Sequence, residues 1–144
     1  MTQNNGPVFV DTNIWLYAFI RGQSVDKTPI AQAVISNQRI IVSTQVISEI
    51  CVNLIRKASF SEAEIRELVA AFFQKHTVVL LNEETFLTAS LLRERHGLSY
   101  WDSLLISAAL NSGAARFYSE DMQDGQVIEG KLQIVNPFAK KGAG

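Results

Sequence analysis

Short, continuous apolar runs alternate along this chain with longer segments of helical periodicity. Runs that are apolar on successive residues are typical of parallel strands covered on both faces, whereas half-exposed strands alternate. Strands separated by helices therefore predict a three-layer α/β/α sandwich with a mainly parallel central sheet, in one domain spanning 1–144. The two ends, 1–5 and 140–144, are predicted to be loosely held. The strands are predicted at residues 7–10, 39–42, 77–80, 116–118 and 132–135.

Capping residues mark where several of the intervening helices begin and end. Thr28-Pro29 is a favourable start, with Thr as the cap and Pro at the first helical position. Ser61 and Glu64 form a capping box, and Gly97 is a usual terminator. The helices are predicted at about residues 12–19, 28–37, 45–57, 61–75, 82–97 and 100–112.

Composition favours a soluble protein of the cytoplasm. Hydrophobic residues make up 47% of the chain and charged residues 19%, which is ordinary for a globular domain. No apolar run approaches the roughly 20 residues that span a bilayer, so no membrane association is predicted. The polar start lacks the features of a signal peptide, and the single Cys51 cannot form an internal disulfide.

The net charge of −1 and the pI near 6.1 do not favour a strong nucleic-acid binder, which is usually basic. Acids clustered around divalent cations would remove this objection, because the bound ions reverse the local charge.

Two acids follow predicted strands directly. Ligands of parallel sheets bind outside the carboxyl ends of the strands, and Asp11 and Asp121 lie just after the first and fourth strands. Asp11 could instead cap the following helix. Asp121 could instead belong to a turn, since Asp and Gly are common there.

Two further acids lie on helices. Glu49 shares a polar stripe with Gln45 and Asn53, at spacings i, i+4 and i+8. The stripe could be a solvated face, but apolar neighbours leave little room for one. Asp102 lies in the first turn of an apolar helix, where it could simply compensate the helix dipole.

Four acids that can converge in a doubly wound sheet suit Mg²⁺ or Mn²⁺, which prefer carboxylate oxygens and retain several waters. No spacing in the sequence resembles a zinc site. His76 and His96 stand apart at helix ends.

In its ordered motifs the sequence resembles a PIN domain, and is most similar to the VapC-like toxin ribonucleases of type II toxin–antitoxin pairs. No single motif is specific, but their order and spacing fit nearly the whole chain. The matching segments are Val10-Asp-Thr-Asn-Ile14, Glu49 after Ser43-Thr44, Trp101-Asp-Ser-Leu104, Ser119-Glu-Asp121 and Val135-Asn-Pro-Phe138.

The resemblance implies a catalytic, metal-binding set with polar support from Asn13 and Ser119. The fourth acid of the family can stand at the position of Asp121 or of Asp124, and this chain has acids at both. We take Asp121 as the main ligand and Asp124 as a supporting residue. The four implied metal ligands are Asp11, Glu49, Asp102 and Asp121.

The activity implied is hydrolysis of RNA phosphodiesters by a water activated on one or two Mg²⁺ or Mn²⁺ ions, leaving 5′-phosphate and 3′-hydroxyl ends. The resemblance also implies an antitoxin partner and a homodimer. The apolar segment 69–73 agrees with a dimer, although both of its Phe residues could be buried in the monomer.

Two other functions compete with this interpretation. A haloacid-dehalogenase-like phosphatase also has an Asp after its first strand, but usually a second Asp two residues on, where this chain has Asn13. A catalytically inactive PIN-like binding module is the other alternative, although acids stand at all four positions.

Overall fold

The computed structural model describes residues 6–36 and 39–139. In this part of the chain, one sheet contains β1 (Val8–Val10), β2 (Ile40–Ser43), β3 (Thr77–Val79), β4 (Arg116–Tyr118), β5 (Val127–Ile128) and β6 (Leu132–Val135). The helices are α1 (Thr12–Phe19), α2 (Lys27–Ser36), α3 (Thr44–Ala58), α4 (Glu62–Lys75), α5 (Glu83–His96) and α6 (Tyr100–Asn111).

The strand order is β3-β2-β1-β4-β6-β5, and every neighbouring pair is parallel except β5 with β6. β2 and β3 follow one another on one side of β1, and β4 lies on the other side of β1. The strand order therefore reverses between β1 and β4. In open α/β sheets, ligands bind in the crevice at such a reversal, outside the carboxyl ends of the strands.

Helices cover the sheet, with α1 packed on α2 and α3, and α5 packed on α6. This arrangement confirms the predicted α/β fold with a mainly parallel sheet. The central strands β1 and β2 were recognisable because their side chains are buried, so residues 8–10 and 40–42 are all apolar. Val8, Phe9 and Val10 of β1 are all fully buried.

Aromatic packing fixes the central strands and the helix that follows them. Phe9 stacks on Phe117 of β4, with ring centroids 5.1 Å apart and an interplanar angle of 7°. Trp15 of α1 is buried, and its indole N–H donates to the Val10 carbonyl at 3.1 Å. The start of α1 is thereby held against the end of β1.

Most predicted boundaries agree with the structure to within one or two residues, but one predicted cap was wrong and one strand was not predicted. The helix predicted to be capped by Thr28 begins at Lys27, whose backbone N–H is accepted by Ser24 Oγ. Thr28 Oγ1 instead donates to the Tyr17 carbonyl at 2.8 Å. The two-residue edge strand β5 was not predicted, because so short a segment carries no periodicity.

The capping box of Ser61 and Glu64 is confirmed, and Gly97 ends α5 in the left-handed conformation at φ 67°. The predicted end of the second helix at Asn37 and the predicted loose ends, 1–5 and 140–144, lie outside the described residues. No helix within the described ranges is long and apolar enough to cross a membrane.

Candidate active site

Asp11 lies at the strand-order reversal, directly after β1. Its Oδ1 accepts the Thr12 backbone N–H at 2.7 Å, so the residue is the N-cap of α1. Its Oδ2 accepts a hydrogen bond from Ser119 Oγ at 3.1 Å, and Ser119 follows β4. The capping role considered from the sequence is therefore real. The same carboxylate also joins the ends of the two central strands.

Burial raises the pKa of Asp11 from 3.8 to about 6. The hydrogen bonds from Thr12 and Ser119 favour the ionised carboxylate and lower this pKa, but burial outweighs them. The negative charges of Asp102 and Asp121 make smaller contributions to the raised value. Three of the four predicted acids thus influence one another electrostatically.

Glu49 reaches this site through Thr12. The fully buried Ser43 ends β2 and caps α3 by accepting the Val46 N–H, which fixes the direction in which α3 leaves the sheet. Glu49 lies one helical turn after Val46, and its Oε1 accepts a hydrogen bond from the Thr12 hydroxyl at 2.6 Å. Its carboxylate is half-buried and directed towards the residue next to Asp11, so it does not belong to a freely solvated helix face.

Asp121 is held by two polar residues that the resemblance singled out. Asn13 Nδ2 donates to Asp121 Oδ2 at 3.1 Å, and the Asp121 backbone N–H donates to Ser119 Oγ at 3.2 Å. The Ser119 hydroxyl therefore connects Asp11 with the backbone of Asp121. Although Asp121 is exposed, both its side chain and its backbone are oriented.

Asp102 lies in the first turn of α6, where its backbone N–H donates to the capping Ser99 Oγ at 3.2 Å. Its carboxylate is partly buried and acts on Asp11 by charge. The structure thus links Asp11, Glu49 and Asp121 through hydrogen bonds, and links Asp102 to Asp11 through electrostatic repulsion.

Asp124 has a different environment. Its Oδ1 accepts the Asn136 backbone N–H at 2.8 Å, and its side chain is exposed. This hydrogen bond ties the loop after β4 to the segment that leaves β6. The geometry gives Asp124 a structural contact that the sequence did not suggest.

Sequence reasoning missed two features of the site. Thr12, which orients Glu49, was assigned only to the helix; its position next to Asp11 was the available signal. The second is a cluster formed by Glu120 with Tyr17 and Lys27. Glu120 accepts the Tyr17 hydroxyl and pairs with Lys27 Nζ, both at 2.6 Å, which anchors the residue beside Asp121.

The donor set suits a hard divalent cation, because it consists of carboxylate oxygens and because burial disfavours the ionised form of Asp11 without a counter-charge. Within residues 6–36 and 39–139, no three acidic, histidine or cysteine side chains already stand close enough to hold an ion. The histidines lie elsewhere: His96 pairs with Glu129 at 3.0 Å, and His76 packs edge-on against Trp15.

The profile of the PIN domain family matches residues 8–123. The match covers well over half of the chain, including all four acids, and the chain belongs to the PIN domain family. A comparison with curated proteins finds no match.

Solved structures with the same fold include toxin–antitoxin proteins. A toxin–antitoxin complex from Klebsiella pneumoniae aligns with a TM-score of 0.69 at 16% identity, covering 91% of this chain and 98% of that chain. VapC20 of Mycobacterium tuberculosis, a sarcin–ricin loop cleaving toxin, gives 0.64 at 17% identity, covering 79% and 91%. VapBC2 from Rickettsia felis, bound to a DNA fragment from its promoter, gives 0.60 at 17% identity, covering 90% and 99%. At these identities the likeness establishes a shared fold.

Proposed function

We propose that this protein is a divalent-metal-dependent endoribonuclease and the toxin of a toxin–antitoxin pair. The observation that carries the proposal is the environment of Asp11 at the strand-order reversal. Its two oxygens are hydrogen-bonded, and burial, with smaller contributions from the charges of Asp102 and Asp121, raises its pKa to about 6. A cation bound there would favour the ionised carboxylates and relieve their repulsion.

Asp11, Glu49, Asp102 and Asp121 would hold Mg²⁺ or Mn²⁺, as one ion or two. When bound, such an ion would lower the pKa of its water from the bulk value toward ~7 and so would supply hydroxide for attack on a phosphodiester.

The protein's own contribution is orientation. The Thr12 hydroxyl fixes Glu49, and Asn13 fixes the carboxylate of Asp121. Ser119 fixes Asp11 and the Asp121 backbone together. Each of these neutral donors restricts a carboxylate without adding a positive charge, so the group remains able to bind a cation.

The structure gives no support to the haloacid-dehalogenase alternative. The position two residues after Asp11 is Asn13, whose amide donates to Asp121, and an amide cannot replace a carboxylic acid in proton transfer. The inactive-module alternative requires that the oriented acids have no chemical role. One pair of assays distinguishes the proposed ribonuclease from both the phosphatase and the inactive binding module.

The assays compare cleavage of a generic single-stranded RNA with hydrolysis of p-nitrophenyl phosphate, each in Mn²⁺ and in EDTA. We expect the RNA to be cut only with Mn²⁺, the phosphomonoester to remain intact, and Asp11→Asn to cut neither. Phosphomonoester hydrolysis that depends on Asp11 would favour a phosphatase. No turnover of either substrate by the wild type would favour a binding module.

The toxin role draws its support from the fold shared with the Klebsiella and Rickettsia proteins. We propose that an antitoxin binds this chain and places a segment, with a basic side chain, at the acids. We further propose a homodimer, acting in the cytoplasm where its RNA substrate lies. Co-expression with the product of an adjoining gene should suppress cleavage and yield a stable complex. Unchanged cleavage in a confirmed complex would contradict inhibition by that partner.

A further inference from the structure

An open groove of about 630 Å³ lies beside Glu49, and its volume falls within the roughly 300–1,000 Å³ range of small-molecule sites. Its walls are the first turns of α3, the residues after β3, and the start of α6. Gln45 and Glu49 line one side, Leu80 and Leu81 the second, and Trp101 the third. Glu49 therefore belongs both to the groove and to the candidate active site.

Trp101 presents a large aromatic surface at this groove. Its side chain is 64% exposed, whereas Trp15 is 1% exposed in the core. Tyr100 packs edge-on against Trp101 at 5.3 Å, and Arg93 lies 4.7 Å from the centroid of the Tyr100 ring. Arg93 is fixed in turn by its hydrogen bond to Ser103 Oγ at 2.8 Å. The exposed Trp101 ring thus packs against Tyr100, whose own ring is contacted by the Arg93 guanidinium.

Gln45 lies one helical turn before Glu49 on the same face of α3. Both its amide nitrogen and its amide oxygen are buried without a hydrogen-bond partner among the described residues. A buried donor and acceptor left unpaired is uncommon in proteins. An external group that offers an acceptor beside a donor would satisfy both atoms.

We propose that the groove binds one unpaired base of single-stranded RNA next to the cleavage site, with Trp101 stacking on the base and Gln45 pairing with its edge. The proposal rests on the ribonuclease function proposed above. Adenine is the expected base, because its N6 amino group and N7 match the amide of a glutamine in a bidentate pair. Stacking on an aromatic ring tolerates any base, so Gln45 supplies the selectivity and Trp101 most of the affinity.

Intrinsic fluorescence provides a readout that requires no cleavage, since one of the two tryptophans is buried and the other lines the groove. Octamers of adenylate, cytidylate, guanylate and uridylate are titrated with Ca²⁺ present, because a divalent cation would reverse the local charge of the acids. We expect the adenylate octamer to quench Trp101 most strongly and at the lowest concentration. Quenching that is absent for all four octamers would overturn the proposal.

Anisotropy of labelled octamers then tests the variants. Trp101→Ala should weaken binding of all octamers by about 5- to 150-fold, the range that stacking of one base provides. Trp101→Phe should retain most of the affinity. The matched control is Phe86→Ala on α5, an aromatic residue that is 45% exposed and does not line the groove. Equal loss in the Phe86 variant would show a non-specific effect of surface apolarity and overturn the proposal.

Gln45→Leu separates base reading from a structural role. Replacing an unpaired buried amide by an apolar group of similar size should leave the melting temperature unchanged or raise it. The ratio of adenylate to uridylate affinity should fall towards one. An unchanged ratio would overturn the role given to Gln45.

The same samples distinguish a failed groove from a failed function. Normal Mn²⁺-dependent cleavage with unchanged KM and base preference in Trp101→Ala would refute the groove and leave the ribonuclease standing. Adenylate-selective quenching by a wild-type protein that cuts no RNA would refute the ribonuclease and leave a base-binding groove.

Discussion

The Thr12 hydroxyl donates a 2.6 Å hydrogen bond to Glu49 Oε1, joining residues 37 positions apart. Thr12 is also the residue whose backbone N–H is bound by Asp11. One residue therefore orients acids from two different elements, through its backbone on one side and its side chain on the other. The donor is almost fully buried, at 8% exposure, so water does not readily replace it.

Thr12→Val should lower RNA cleavage by about 10- to 100-fold, the usual cost of losing a group that orients a metal ligand. Valine has nearly the same shape but cannot donate to Glu49. Thr12→Ser keeps the hydroxyl and should remain within a few-fold of the wild type. Initial rates at several Mn²⁺ concentrations measure the effect. Equal activity of the valine and serine variants would contradict the orienting role.

Asp11→Asn should abolish cleavage and, in EDTA, stabilise the protein at neutral pH. Because the pKa of Asp11 is raised from 3.8 to about 6, the folded state binds this proton more tightly than the unfolded state. The wild-type free energy of unfolding should therefore fall as pH rises from 3.8 to about 6, by about 3 kcal/mol at most. Asparagine remains a good N-cap, so the variant should fold.

Urea unfolding at a series of pH values in EDTA checks this prediction. Asp11→Asn should lack the decrease between pH 3.8 and about 6, whereas Asp26→Asn at an exposed position should retain it. The same pH dependence in Asp11→Asn as in the wild type would show that another group causes it.

Mn²⁺ should stabilise the wild-type protein, because it removes the repulsion among the acids. At a free concentration about 100 times Kd, the gain is roughly 2.7 kcal/mol, equivalent to a rise in melting temperature of about 5–10 °C. Asp11→Asn should show a much smaller rise. Thermal unfolding with Mn²⁺ and with EDTA measures both. An identical rise in the two proteins would place the ion elsewhere.

Asp121 and Asp124 should differ in their dependence on metal. Asp121 is held by Asn13 and Ser119 beside Asp11, whereas Asp124 binds the Asn136 backbone. Asp121→Asn should remain inactive even at high Mn²⁺, and Asp124→Asn should keep activity within about tenfold. Asp124→Asn retains an oxygen for the Asn136 N–H. The reverse ranking would move the fourth ligand to Asp124.

We expect the proposed homodimer to use Phe73 of the segment 69–73, because its side chain is exposed. Phe72 is 2% exposed and packs against Trp15 at 4.9 Å, whereas Phe73 is 56% exposed. Phe73→Ser should therefore weaken a dimer without opening the core. Light scattering at micromolar concentration measures the mass. A monomeric wild type would reject the dimer. A dimeric Phe73→Ser would place the interface elsewhere.

The sequence by itself determined the parallel sheet and most of its helices. Runs such as Val8-Phe-Val10 are apolar on successive residues because helices cover both faces of the strand. Caps such as Ser61 satisfy backbone N–H groups within a few residues of themselves. These signals are local, so they can be read from the sequence. The edge strand β5 could not, because pairing with β6 rather than its own composition makes it a strand.

The four acids were selected from the sequence by their order and by resemblance, but their relationships were decided by the tertiary structure. Asp11 meets Ser119 only because β1 and β4 are neighbours. Thr12 meets Glu49 only because Ser43 directs α3 back over α1. The sequence favoured Asp121 over Asp124, and the structure gives the two acids different contacts: Asp121 is bound by Asn13 and Ser119, whereas Asp124 accepts the Asn136 backbone N–H. Hydrogen bonds and desolvation depend on distances between segments remote in sequence, and the fold alone sets those distances.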